Sequence, residues 1–94
     1  VLGDMLELGD ASSEQHTKLG LKCAEAKLDA IFSLGKETKI IHSKAYNTAI
    51  NLHFNKPKEL INSLKNHLIE NDTVLFKGSR GMKMEKVISG VFLK

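Results

Sequence analysis

Tryptophan is absent and tyrosine occurs once, so aliphatic side chains and four phenylalanines must carry the packing. A single cysteine rules out an internal disulfide and fits a reducing compartment. No apolar run approaches the roughly 20 residues of a membrane-spanning helix. No basic-then-apolar leader opens the chain, and a cytoplasmic protein is expected. The 14 Lys and Arg against 11 Asp and Glu give a net charge of +3, spread along the whole sequence. A nucleic-acid surface would need a basic stripe, often interleaved with aromatics, and there is none. Metal-ligand spacings are missing too: His16, His42, His53 and His67 have no second ligand at HxxxH or CxxC spacing. Neither GxGxxG nor GxxxxGK[ST] occurs, so no complete nucleotide loop is present.

What remains is one small domain of 94 residues, 41% of them hydrophobic. Val1-Leu2-Gly3-Asp4 reads as the tail of a buried strand already at its turn, and is expected to be cut from a longer chain. Met5 to Asp10 is an apolar-acidic loop bounded by glycines. Ser12 with Gln15 forms a capping-box pattern that predicts a helix start. His16, Leu19, Cys23 and Ala26 then recur at helical spacing as its buried face. Gly20 weakens that helix by about 1 kcal/mol relative to Ala unless close packing on the sheet requires it. Ala30 to Gly35 is a strand whose lack of alternation suits cover on both faces.

A helix is predicted from about Glu37 to Asn47, then an edge-type strand over Ile50 to Phe54. Asn55 is positioned to cap the next helix and Pro57 fits its first turn. Leu60, Ile61, Leu64, Leu68 and Ile69 form its apolar stripe, ended by Asn71-Asp72. A strand over Thr73 to Phe76 and a last helix with Val87, Ile88 and Val91 inward complete the pattern. Alternating strands and short-linked helices specify an α/β fold: a Rossmann-like three-layer sandwich with a mostly parallel sheet, truncated at its N-terminal strand.

Between the last strand and helix lies Lys77-Gly78-Ser79-Arg80-Gly81-Met82-Lys83. Two glycines, a hydroxyl and three cations at the carboxyl edge of such a sheet suit an anion. Arg80 can grip a carboxylate or phosphate bidentately while backbone amides add donors. Asp4, Glu7 and Asp10 end up at the same edge and could orient an ammonium or a metal-bound water, or simply cap the helix as a solvated acidic loop. His16 packs on an apolar face, with ligand contact at the sheet edge as its weaker alternative. His42, His53 and His67 read as solvated surface residues. Cys23 reads as a small core residue. The chain offers no nucleophile, metal cage or nucleotide loop of its own, which describes a substrate-presenting domain better than a complete enzyme.

Val1-Leu2-Gly3-Asp4-Met5-Leu6-Glu7-Leu8-Gly9 with His16 and Leu19-Gly20, and Val74 to Glu85, together resemble the C-terminal domain of MurF-type Mur ligases. These are the UDP-N-acetylmuramoyl-tripeptide:D-alanyl-D-alanine ligases of bacterial cell-wall synthesis. The resemblance covers essentially the whole chain, residues 1–94. It implies an ATP-dependent ligation in which the terminal carboxylate of the UDP-linked tripeptide is phosphorylated and the amine of D-Ala-D-Ala attacks the acyl phosphate. ATP and Mg2+ would be held mainly by a central domain, and the UDP-sugar by an N-terminal domain. Both domains would be partners of this one. The resemblance places Lys77, Gly78, Ser79 and Arg80 at the incoming amino component, Arg80 at its carboxylate. Asp4 and Glu7 are weaker candidates, and His16 weaker still. It assigns no catalytic residue to the chain, and no ligase activity is expected of it alone. The alternative is a free-standing α/β module that binds a small anion or a protein partner without catalysis.

Overall fold

The apolar runs become parallel strands and the amphipathic stretches become the helices that cover them. The computed structural model describes residues 1–93. In chain order it holds β1 (Leu2–Gly3), α1 (Ser12–Glu25), β2 (Ala30–Leu34), α2 (Lys39–Lys44), β3 (Ile50–Phe54), α3 (Pro57–His67) and α4 (Met84–Phe92). Short 3-10 turns occupy Gly9–Ala11 and Arg80–Met82. The sheet order is β1-β2-β3, both pairings parallel, with β3 at the edge as its alternation suggested.

Side chains on β2 alternate between two cores, as the strand's period of two requires. Phe32 and Leu34 meet Leu60 and Leu64 of α3 and Met84 and Val87 of α4. Ile31, on the opposite face, meets Leu2, Cys23 of α1 and Ile41 of α2. These are the three expected layers. Cys23 is buried in the second core, where desolvation pushes its thiol pKa up. No helix among the described residues is long and apolar enough to cross a membrane.

Several local expectations are revised. Ser12 is not the cap of α1. Ala11 holds that position without a side-chain bond, and the Ser12 hydroxyl lies 3.2 Å from His16 Nδ1. Lys56, not Asn55, precedes α3, with Pro57 in its first turn. Helix α2 is shorter than Glu37 to Asn47, starting at Lys39, with the Glu37 and Thr38 amides that precede it capped by Asp4. At its other end Ala45, with φ −87 and ψ 52, leaves the helical region. Helix α3 stops at His67, and Ile69, the last of its apolar stripe, is 74% exposed.

The run Thr73 to Phe76 forms no regular strand. A single parallel bridge joins Lys77 to Leu2, backed by Lys77 N–H to Val1 O at 2.9 Å and Gly3 N–H to Lys77 O at 2.7 Å. Strand β1 has only two residues against which a ladder could run, and Leu75 stays 72% exposed. Gly20 answers to a neighbouring helix and not to the sheet: a Cβ there would stand 2.7 Å from Lys44 Cβ and 3.1 Å from Ile41 Cα. His42 and His53 are half-buried, not solvated, with ring centroids 5.9 Å apart. Only His67 of those three is exposed.

Candidate functional site

The winding of the chain marks one place on the sheet. From β1 the path runs outward through β2 to β3, with α1 and α2 against one face. It then returns through α3, on the other face, to the Lys77 segment beside β1. Winding therefore reverses between β1 and Lys77. In open parallel sheets, ligands bind outside the carboxyl ends of the strands at such a reversal. Two loops leave from this point, residues 4–8 after β1 and residues 78–82 after Lys77.

The loops are built around close approach. A Cβ on Gly78 would lie 3.1 Å from Gly3 Cα, and one on Gly81 would lie 2.7 Å from Leu6 Cδ1. Ser79 ties them together, its N–H donating to Asp4 O at 3.0 Å and its Oγ accepting from Leu6 N–H at 2.7 Å. Met82 N–H then closes on Ser79 O at 2.8 Å, and Lys83 N–H on Arg80 O at 3.0 Å. Between the loops opens a cavity of ≈ 310 Å³ lined by Leu6, Glu7, Ser79, Arg80 and Gly81.

A guanidinium, a carboxylate and a hydroxyl thus share one small opening. Arg80 and Glu7 are both exposed, and neither forms an ion pair among the described residues, where the pair present is Lys18–Glu14. The two loops thus bring one residue of each charge sign, Glu7 and Arg80, to the same cavity.

The structure groups some sequence-derived candidates and separates others. Glu7, Ser79 and Arg80 converge on the cavity, whereas Lys77 and Gly78 do not line it. Asp4 is buried, 5% exposed, and its Oδ1 accepts from Glu37 N–H at 3.1 Å and Thr38 N–H at 2.8 Å. Gly35, at φ 122, leaves the room that this carboxylate fills. His16 is fully buried, with Nε2 accepting from Met5 N–H at 3.1 Å and Nδ1 2.8 Å from Ser12 O. Asp10 stands in the Gly9–Ala11 turn, exposed. Leu6 and Gly81 line the cavity without having been singled out as ligand contacts. The sequence signal for them was their place inside the two glycine-bounded loops.

A second cavity, of ≈ 390 Å³, lies across the Arg80–Met82 turn, and Gly81 lines both. Its polar groups come from Asn55, Lys83 and Lys86, over a floor including Leu34, Ile61 and Val87. It carries no carboxylate side chain, and its lining joins the carboxyl end of β2, at Leu34 and Gly35, to the Arg80–Met82 turn.

The fold and its opening therefore define a parallel α/β domain with a small cavity at its topological switch, lined by residues of both charge signs. Comparison with known proteins makes the assignment more particular. The chain is 36% identical over 91 residues to UDP-N-acetylmuramoyl-tripeptide--D-alanyl-D-alanine ligase of Bacillus subtilis, covering 94% of this chain and 20% of that protein. It is 36% identical over 90 residues to the ligase of the same name from Escherichia coli, and 39% identical over 90 residues to that of Buchnera aphidicola from Acyrthosiphon pisum. Each of these matches covers 94% of this chain and 19% of the relative. Over almost its whole length, this chain matches a segment of the MurF-type ligases; it spans about a fifth of the length of these relatives. No protein-family model matches the chain. No solved structure matches it either.

Proposed function

We propose that this chain is the C-terminal domain of an ATP-dependent ligase of peptidoglycan synthesis, working in the bacterial cytoplasm, and that it holds the incoming D-Ala-D-Ala. The observation that carries this reading is the coincidence of two things. The two stretches that resemble the Mur ligases are the two loops that meet at the switch point. Their shared cavity also presents Arg80 opposite a free carboxylate, Glu7. A dipeptide with an ammonium at one end and a carboxylate at the other is complementary to that pair.

In this role Arg80 forks onto the dipeptide carboxylate, and Glu7 attracts and orients the amino end. The Ser79 hydroxyl is occupied in holding Leu6. It therefore shapes the wall, and the neighbouring backbone supplies the remaining polar contacts. The gain is positional. An amine held at one orientation reacts as though at very high local concentration, and a closed site protects an acyl phosphate from water.

Among the described residues no group of three His, Cys, Asp or Glu could hold a metal ion, and the phosphate-loop pattern is missing from the sequence. On the Mur-ligase resemblance, ATP and Mg2+ fall mainly to a central domain, the UDP-sugar to an N-terminal one, and binding of the amino component to this one. The isolated chain is expected to show no ligase activity.

The test is Arg80→Ala in the full-length ligase that contains this sequence. Losing a charge-assisted bidentate contact costs about 2–3 kcal/mol, so KM for D-Ala-D-Ala should rise by roughly 30- to 150-fold. Thermal stability should hold, because Arg80 is exposed and unpaired. Unchanged affinity and turnover would remove Arg80 from the site.

A further inference from the structure

We propose that His16, too deeply buried to meet a ligand, is the positioning residue that sets the residue 4–8 loop over the cavity; this rests on the dipeptide reading of that loop. The imidazole is 0% exposed, and both its nitrogens are used. Met5 N–H is necessarily a donor, so Nε2, 3.1 Å away, must be unprotonated to accept it. The ring proton then sits on Nδ1 and is donated to Ser12 O at 2.8 Å, one turn back along α1. The histidine is in this way locked in one tautomer between a rigid helix and an irregular loop.

The loop needs such an anchor. Residues 4–8 belong to no helix or strand, so nothing regular pairs their amides. Instead, three successive residues are fixed one at a time. Asp4 O takes Ser79 N–H, His16 Nε2 takes Met5 N–H, and Ser79 Oγ takes Leu6 N–H. The chain then turns through Glu7 at φ 63, a left-handed conformation uncommon for a residue with a Cβ. His16 is the member of this clamp that comes from the helix core, and so it relates the Glu7 wall to the frame of α1. A residue needed only for packing at this depth would do better without polar atoms to satisfy.

The test compares His16→Leu with His16→Gln in the full-length ligase. Leucine fills the space and removes the acceptor, whereas glutamine can place Oε1 where Nε2 stands. Amide exchange at Met5 and Leu6 should speed up by roughly tenfold or more in His16→Leu, with the amides of β2 unmoved. KM for D-Ala-D-Ala should rise roughly tenfold, with kcat within about twofold of the parent. His16→Gln should recover most of both. Equal damage from both variants, or Met5 exchange unaltered in His16→Leu, overturns the clamp. Faster loop exchange with an unaltered KM overturns the dipeptide reading, and the positioning role with it. A measurement that needs no variant is the ring ¹⁵N spectrum of His16. It should report the Nδ1–H tautomer; an Nε2–H tautomer overturns the proposal.

Discussion

His53 sits half-buried on the edge strand, its ring centroid 5.9 Å from that of His42 on α2. Its Nδ1 is 2.8 Å from Ser33 Oγ, while Nε2 is buried with no partner. A lone pair left there is tolerable, but a proton would create a buried N–H with no acceptor. Desolvation is accordingly the main cause that lowers its pKa below the ordinary 6.5. The neighbouring His42 and Lys39 lower it further, and Asp4 and Asn55 oppose the shift. The unfolded chain then binds the proton more readily than the folded one. The stability that a neutral His53 contributes is complete above pH 6.5 and is lost as pH falls through the lower folded value. Urea unfolding followed from pH 8 to pH 5 should show a steeper loss in the parent than in His53→Leu. Equal slopes would show that another group carries the acid response. Neither this pairing nor the Asp4 contacts could be read from the sequence. Asp4 lies 33 and 34 positions from the amides it binds, and such bonds leave no local pattern.

At the scale of elements, helical and strand periods were readable wherever one face meets a core. β2 is buried on both faces and β3 runs at the edge, as their compositions indicated. Element ends depart from the local pattern where distant or neighbouring side chains engage the backbone: Asp4 caps the two amides before α2, and the Ser12 carbonyl and hydroxyl face His16. At Gly20 the neighbour is another helix. Its propensity cost, about 1 kcal/mol against alanine, is offset by the close crossing of α1 and α2. Gly20→Ala gains that propensity but drives a methyl to 2.7 Å from Lys44 Cβ and 3.1 Å from Ile41 Cα. Lys44 Cβ is fixed by its backbone as firmly as Ile41 Cα, so neither can yield without moving α2. A net destabilisation of about 1–2 kcal/mol in urea unfolding is the expected result. A stabilised variant would mean that the helices part easily.

For the molecule as a whole, the layers were evident from alternation of strand and helix, and the Gly-Ser-Arg-Gly turn pointed to the sheet edge. The partner wall was harder to find, because Leu6 and Glu7 meet Ser79 and Arg80 only through a pairing more than seventy residues apart. That pairing is what turns two short motifs into one cavity with a cation and an anion in it. The central claim is that this cavity, at the winding reversal, seats the dipeptide. It is tested most directly by a crystal structure of the full-length ligase with D-Ala-D-Ala and a non-hydrolysable ATP analogue. The dipeptide carboxylate should lie within hydrogen-bonding distance of the Arg80 guanidinium, with its amino end on the Glu7 side. A dipeptide seated instead in the ≈ 390 Å³ cavity beside Lys83 and Lys86 would contradict the account.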